Sequence, residues 1–433
     1  MSTAPVFKII PTTQKYDWGK IGLASTVAQY ASASEIPGFS LDETAPYAEL
    51  WVGTHPSSPS RLLTVETPSL ASHLAGHPEL LGSSILSRFA SEGSNEGNLP
   101  FLFKVLSIQK ALSIQTHPDK ATAEKLHKEK PNVYKDANHK PEMAIALTPF
   151  EAMCGFLPLP RIAAFLQSTP ELSALVPSAI VDRFLGISNS SSPAGPEEKA
   201  ALKDVFASIM TADEALFKEQ LSKLILRYEN GGVQENEVPV KELVLRLNSQ
   251  FPGDIGAFCA FVLNFVQMQP GEAIFLAAGE PHAYVSGDIL ECMATSDNVI
   301  RAGLTPKLRD VPNLVSGLTY QAAEVTKHFV KPSAFHDSSP HTRIYNPPIP
   351  EFAVLVVTLE GSGTETHSAI DGPSLGIVTE GGGNVKWNDG GSALGLARGD
   401  VFFIGAGTEV QFQSEGGLGV ARAFVDVDLK SSS

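Results

Sequence analysis

The stretch "GEAIFLAAGEPH" (271–282) aligns without gaps on "GDVFFIGAGTEV" (399–410). Gly271 matches Gly399, Glu272 matches Asp400 and Gly279 matches Gly407, with a short apolar run between the glycines. Each copy reads as turn, strand, glycine turn. A jelly-roll barrel passes strands between its corners in this way, so the repeat predicts two such barrels. One difference bears on function. His282 ends the first copy, whereas Val410 ends the second. If His282 is a metal ligand, the second barrel is expected to be metal-free and structural.

The rest of the chain fits around that frame. Residues 1–110 contain short strand-like pieces such as "AELWVGTHP" and "LPFLFKVLSI", separated by Gly, Pro and Ser clusters, with one helical piece, "SLASHLAGHPELLG". Between 158 and 250 the period changes. Leu202, Val205, Phe206 and Ile209 share one helical face. Phe217, Leu221, Leu224 and Tyr228 share a second, and Val240, Leu243, Val244 and Leu247 a third. "ISNSSSPAGPEE" reads as a surface linker. From about 257 strands return, as in "FAVLVVTLEG", "LGIVTEGGG" and "DVFFIGAG". The expected class is mainly β with an α-helical lobe. Residues 1–155 with 255–330 are expected to form the first barrel, 156–254 an inserted helical domain, and 331–433 a C-terminal barrel without metal.

Composition narrows the function. The chain has 433 residues and a formal net charge of −15. That argues against a nucleic-acid surface, and any anionic ligand must be met by a local basic cluster. Cys154, Cys259 and Cys292 are far apart with no CxxC pair, which fits reduced thiols and a cytoplasmic location. The N-terminal residues lack the apolar core of a signal peptide, and no uncharged run is long enough to span a bilayer. The sequon at Asn189 then carries no meaning.

Chemistry-bearing residues stand out where polar side chains interrupt strands. In "ALSIQTHP", Gln115 and His117 are two apart and point the same way on a strand, and Pro118 ends the ladder. "NHKPEMAI" places His139, Lys140 and Glu142 just before another apolar run, with Pro141 keeping the backbone extended. Gln115, His117, Glu142 and His282 together make an N2O2 donor set suited to Zn²⁺ and tolerant of Mn²⁺, Co²⁺ or Fe²⁺. His55, His73, His77 and His127 read as ordinary surface or turn residues. In "GDILECMATSDNVIRAGLTPK", Glu291, Asp297, Arg301 and Lys307 lie among apolar residues. If that stretch is extended, Asp297 and Arg301 share a face, and they form either a structural ion pair or part of a catalytic group. Lys104, in the apolar "FLFKVL", needs an anion or exposure to be tolerated.

"YDWGKIG", "AELWVGTHP", "PFLFKVLSIQKALSIQTHPDK", "NHKPEMAIAL" and "GEPHAYVSGDILECMATSDNVIRAGLTPK" resemble, in order from about residue 8 to 330, the type I mannose-6-phosphate isomerases. Thr295 stands where that family usually has cysteine. The resemblance implies cupin-type jelly-roll barrels with a helical domain. It also implies a zinc-dependent aldose–ketose isomerase that interconverts mannose 6-phosphate and fructose 6-phosphate, supplying mannose for GDP-mannose and glycoconjugates. One Zn²⁺ per chain would be held by Gln115, His117, Glu142 and His282. Arg301 falls on the catalytic arginine, and Lys140, Glu291 and Asp297 on acid–base groups. Tyr284 falls on an active-site tyrosine, while Ser113 and Lys104 lie near the phosphate end.

Those residue types suit the chemistry. Hydrogen moves between C1 and C2 through an enediolate, which needs a placed base and charge stabilisation. Arg301 stays protonated and can stabilise that charge. Glu291 or Lys140 is the base, and Asp297 and His139 are candidates for proton transfer in ring opening. The expected partner is a small phosphorylated sugar, with no nucleic acid and no membrane, and the chain is expected to be a monomer. Two rivals remain: a cupin that binds sugar phosphate without turnover, and a metal-dependent cupin oxygenase.

Overall fold

A computed structural model describes residues 4–34, 36–63, 67–336, 338–427 and 429. Two large antiparallel sheets of ten and eleven strands dominate it, with a helical lobe inserted after the first sheet is half built. Both sheets curl into jelly-roll barrels, so the architecture matches the expected class.

The repeat organises both barrels. Ala273–Leu276 and Val401–Ile404 are the two short strands, and the strands that follow begin at His282 and Val410, the last residue of each copy. Gly271 and Gly399 both have φ +88°, and Gly279 and Gly407 have φ +74° and +71°. Those left-handed turns are open to glycine at little cost, which is why the matched positions carry it.

In the first barrel, His282–Ala294 is the central element. Its 13 residues pair with Phe101–Ile108, Glu142–Ala146, Phe150–Phe156 and, at His282, with Gln115 of Ile114–Thr116. It bends at Gly287 (φ +114°), where an added Cβ would lie 2.6 Å from the Pro149 carbonyl oxygen. Phe101–Ile108 is buried at every position, as befits a strand covered on both faces. The second barrel is built on Ser374–Trp387, which pairs with Val401–Ile404 and Leu418–Phe424.

The chain's first strand departs from the expected grouping of residues 1–155. Val6–Ile10 pairs with Val401–Ile404, in the C-terminal sheet. The reason is apolar burial: Phe7 stacks on Phe403 at 5.1 Å, and Lys8 reaches Asp400 at 2.7 Å. Leu50, Phe103 and Leu290 of the first barrel also share a buried cluster with Leu375, Phe403 and Ala423 of the second. The N-terminal segment therefore ties the two barrels together. The piece read as one helix at 69–82 is also split: Leu70–Gly76 is α-helical, and a 3-10 turn follows at Pro78–Leu80.

The helical lobe forms as its periodicity predicts. Pro196–Met210, Glu214–Glu229 and Val238–Gln250 bury the three apolar faces named above. Asp213 caps the second helix by accepting from Leu216 N. Arg227 crosses the lobe to bond Glu171 at 3.0 and 2.9 Å and Glu237 at 2.7 Å through each of two nitrogens.

The repeat glycines give a test. Gly407→Ala meets no atom within 4 Å at its Cβ, and should cost about 1–2 kcal/mol for its left-handed backbone alone. Gly399→Ala places a Cβ 2.3 Å from the Tyr30 carbonyl oxygen, so the chain must also move. Thermal melts should show the larger Tm loss for Gly399→Ala; equal losses would contradict the turn geometry.

Candidate active site

Three distant segments bring His117, Glu142 and His282 together, with one ligand atom from each lying within 4.8 Å of the others. All three are buried. His117 follows directly after the Ile114–Thr116 strand, Glu142 opens Glu142–Ala146, and His282 opens His282–Ala294. Strand ends thus deliver all three side chains.

Their hydrogen bonds identify what they are arranged to hold. His117 Nδ1 donates to the Asn298 carbonyl oxygen at 2.7 Å, and His282 Nδ1 donates to that of Glu280 at 3.0 Å. With the proton on Nδ1, each Nε2 carries a lone pair. The two Nε2 atoms face Glu142 Oε1 and Oε2 at 3.2 and 3.4 Å. Both are buried without a hydrogen-bond partner. Lone pairs turned toward a carboxylate in a dry interior repel unless a cation sits between them. The set therefore fits a divalent metal, and Nδ1 donation to a carbonyl is the usual way a ligand imidazole is oriented.

The charge states agree. Burial pushes His117 down to about 4, so the imidazole is neutral. Burial alone would raise Glu142, but the Lys140 ammonium beside it opposes that and favours the ionised carboxylate. Lys140 Nζ lies 3.3 Å from Glu142 Oε1, and the Tyr284 hydroxyl donates to Glu142 Oε2 at 3.3 Å. Gln115 is the strand partner of both His282 and Arg301.

Gln115 and Lys140 also line a cavity of about 760 Å³, which places the cluster directly behind its wall. Ser113, Lys104, Asp297, Arg301 and Lys307 line the same cavity. Arg301 is partly exposed and has no hydrogen-bond or ion-pair partner among the described residues, and burial lowers its pKa. Asp297 and Arg301 do not form an ion pair. Residues 296–299 leave the extended path, because the Asp297 amide donates to Asp136 Oδ2 at 2.7 Å. Asp297 Oδ1 instead lies 3.4 Å from His55 Nε2, and that contact holds its carboxyl below the usual range.

Several other expected site residues are engaged with neighbouring side chains. Lys104 is not a free cation at the phosphate end. Its ammonium lies 3.1 Å from Glu291 and 3.7 Å from Glu49, and 4.8 Å over the Trp51 ring. Burial would lower its pKa, but Glu291, Glu49 and Glu142 reverse that and raise it. Glu291 lies behind Lys104, not among the cavity-lining residues, and burial raises its pKa. His139 turns away from the cavity, with Nε2 2.6 Å from Glu351. Tyr284 is buried beside the cluster, and burial raises its pKa well above the usual range. Thr295 donates to the Leu99 carbonyl oxygen at 3.1 Å.

Sequence reasoning missed other lining residues. His55, read as an ordinary turn residue, is 4% exposed and packs edge-on to Trp51 at 5.1 Å. Glu49 could have been found, since a charged residue in the apolar "ELWV" carries the same signal as Lys104 in "FLFKVL". Gln250 and Asp254 come from the end of the helical lobe, and no local pattern marks them.

Comparison with known proteins matches three regions of the chain to type I phosphomannose isomerases: the catalytic domain at 6–159, the helical insertion domain at 183–263 and the C-terminal part at 343–389. A mannose-6-phosphate isomerase of Cryptococcus neoformans is 52% identical, covering 97% of this chain and 99% of that one. The Saccharomyces cerevisiae enzyme of the same name is 45% identical over 97% and 99%. Among crystal structures, a phosphomannose isomerase mutant from Salmonella typhimurium superposes with TM-score 0.80 at 30% identity, over 98% of this chain and all of that one. A zinc-bound mannose 6-phosphate isomerase does so with TM-score 0.79 at 30% identity and the same coverage.

Two measurements follow from the cluster. His282→Ala should reduce bound metal, read by atomic emission, by about tenfold or more while far-UV circular dichroism is unchanged. Full metal content in that variant would remove His282 from the ligand set. Chelator-treated protein should lose Tm as pH falls from 7.5 to 5.5. Folded His117, His328 and His367 are held below 6.5 by burial, whereas the unfolded chain takes up protons at 6.5. A flat Tm over that window would contradict their neutral burial.

Proposed function

Because the chain belongs to the type I phosphomannose isomerase family, we infer that it is a zinc-dependent aldose–ketose isomerase interconverting mannose 6-phosphate and fructose 6-phosphate. The product supplies mannose for GDP-mannose and glycoconjugates. The observation that carries the site assignment is the pair of unpartnered imidazole Nε2 atoms facing Glu142 directly behind a cavity that holds an unpaired Arg301.

His117, Glu142 and His282, with Gln115 beside them, would hold the zinc. When bound, it supplies a Lewis acid that polarises the sugar oxygens. Arg301 has no anionic partner among the described residues, so its guanidinium is available for the negative charge that develops on the enediolate oxygens. Two routes serve the proton transfer between C1 and C2. Lys140 lines the cavity directly, whereas Glu291 reaches it through Lys104. Asp297 lines the cavity as an ionised carboxylate and is the candidate for ring opening; His139, held by Glu351, is not. Lys110 and Lys307 line the cavity with no carboxylate partner among the described residues, and with Ser113 they suit the phosphate end better than Lys104 does.

We also propose that the chain acts as a cytoplasmic monomer. In support, no helix among the described residues is long and apolar enough to cross a membrane, and its three cysteines are free and buried. Against a binding protein without turnover stand the isomerase relatives matched over nearly the whole chain and the metal-suited cluster beside the cavity. A cupin oxygenase would want an imidazole-rich iron site in place of this Gln/Glu/two-His set.

A coupled assay of fructose 6-phosphate conversion, run with and without chelator, tests the reading; activity indifferent to chelator would sink the zinc dependence. Arg301→Ala should keep its metal and fold while kcat falls by about 10²–10³. A kcat within a few-fold of wild type would remove Arg301 from the reaction.

A further inference from the structure

Arg301 has no side-chain partner among the described residues, so its backbone aims the guanidinium into the cavity. That backbone continues from the Ile300–Gly303 strand into Leu304 and Thr305, which also line the cavity. Leu304 has φ +54°, a left-handed conformation that a residue with a side chain adopts only where its surroundings impose it.

What imposes it comes from the helical lobe. Asp254 Oδ1 accepts from the Leu304 amide at 2.8 Å and from Gly256 N at 2.7 Å, while Oδ2 accepts from Thr305 N at 3.3 Å. The two backbones touch here. A Cβ on Gly303 would lie 2.7 Å from Gly256 Cα, and a Cβ on Gly256 would lie 2.8 Å from Leu304 N. Both glycines are therefore required for the approach. Four residues earlier, Gln250 Oε1 accepts from Ala111 N at 2.9 Å, just ahead of the Ile114–Thr116 strand that pairs with Arg301. One short segment of the lobe thus holds both strands that carry Gln115 and Arg301.

We propose that Asp254 is a positioning residue for Arg301. Its carboxylate fixes the turn after the arginine's strand, and this makes the inserted helical lobe a working part of the active site. The inference rests on the role given to Arg301 above.

The test uses the full-length zinc-loaded enzyme. Asp254→Ala should lower kcat about tenfold or more, with KM changed by less than about threefold and zinc content unaltered, because misaiming a charge-stabilising group costs turnover more than binding. Amide exchange at Leu304 and Thr305, followed by mass spectrometry, should accelerate. Asp254→Asn keeps one acceptor oxygen and should fall between the two; it carries the test should the alanine variant not fold. Arg227→Met, which breaks the lobe's distant ion network, is the control for general loosening. It should lower Tm yet leave kcat and the exchange at 304–305 unchanged. The proposal is overturned if Asp254→Ala stays within twofold in kcat, if exchange there is unaltered, or if Arg227→Met reproduces both effects. A wild-type enzyme without turnover would sink the isomerase reading instead, and the exchange measurement would still report on the clamp.

Discussion

The site depends on two protons held away from it. Each ligand imidazole gives its Nδ1 proton to a main-chain carbonyl, and the opposite lone pair must then face inward. Those carbonyls belong to Asn298 and Glu280, on loops that are themselves fixed. Asn298 donates to the carbonyl oxygens of Asp136 and Asn138 at 2.8 and 2.9 Å. The Glu280 carboxylate receives Thr319 and Lys327 at 3.0 Å each. Ring orientation is thus inherited from loop geometry, and loop geometry from the strands. Without that inheritance, two neutral histidines and an acid in a dry interior would find other partners.

Electrostatics explains how a chain of net charge −15 can accept an anionic sugar. Lys104, Lys110, Lys140, Arg301 and Lys307 all line one cavity. Two of them are already balanced: Lys104 by Glu291 and Glu49, and Lys140 by Glu142. The remaining three are unpaired among the described residues. Asp17, Asp254 and Asp297 line the same cavity, so its charges are close to balanced, and the three unpaired cations are local points at which an anion can be held. Reaction centre and phosphate have different electrostatic needs, and the pairing of each cation separates them.

Much of this was legible in the sequence because it is local. The repeat glycines, the three helical faces and the polar interruptions at Gln115, His117 and Glu142 all follow from short-range periodicity and turn chemistry. What depends on tertiary approach was not. Val6–Ile10 joins the far barrel because its partner is about four hundred residues away, and no local pattern distinguishes one apolar edge from another. Lys104 looked like a phosphate ligand because its two carboxylates come from other strands. Asp297 looked like a partner for Arg301 because the chain was taken as extended; its amide bond to Asp136 turns it toward His55. Asp254 carries no signature, since its bonds go to main-chain groups fifty residues on.

The second barrel places a different polar group in the same frame. Where Gln115 faces His282 in the first barrel, His367 faces Val410 in the second. His367 Nδ1 accepts from Arg422 at 3.1 Å, and its Nε2 proton goes to Thr342, whose hydroxyl donates to Glu365 at 2.5 Å. Burial and Arg422 keep His367 neutral, and burial brings the fully enclosed Arg422 down to about 9. A lone pair that one barrel turns toward a metal site is given in the other to a guanidinium. The cation there is part of the chain, and the buried carboxylate that balances it is reached through histidine and threonine, not by direct contact. The barrel interior keeps a polar centre, but its imidazole, hydroxyl and carboxylate are already engaged with one another and with Arg422.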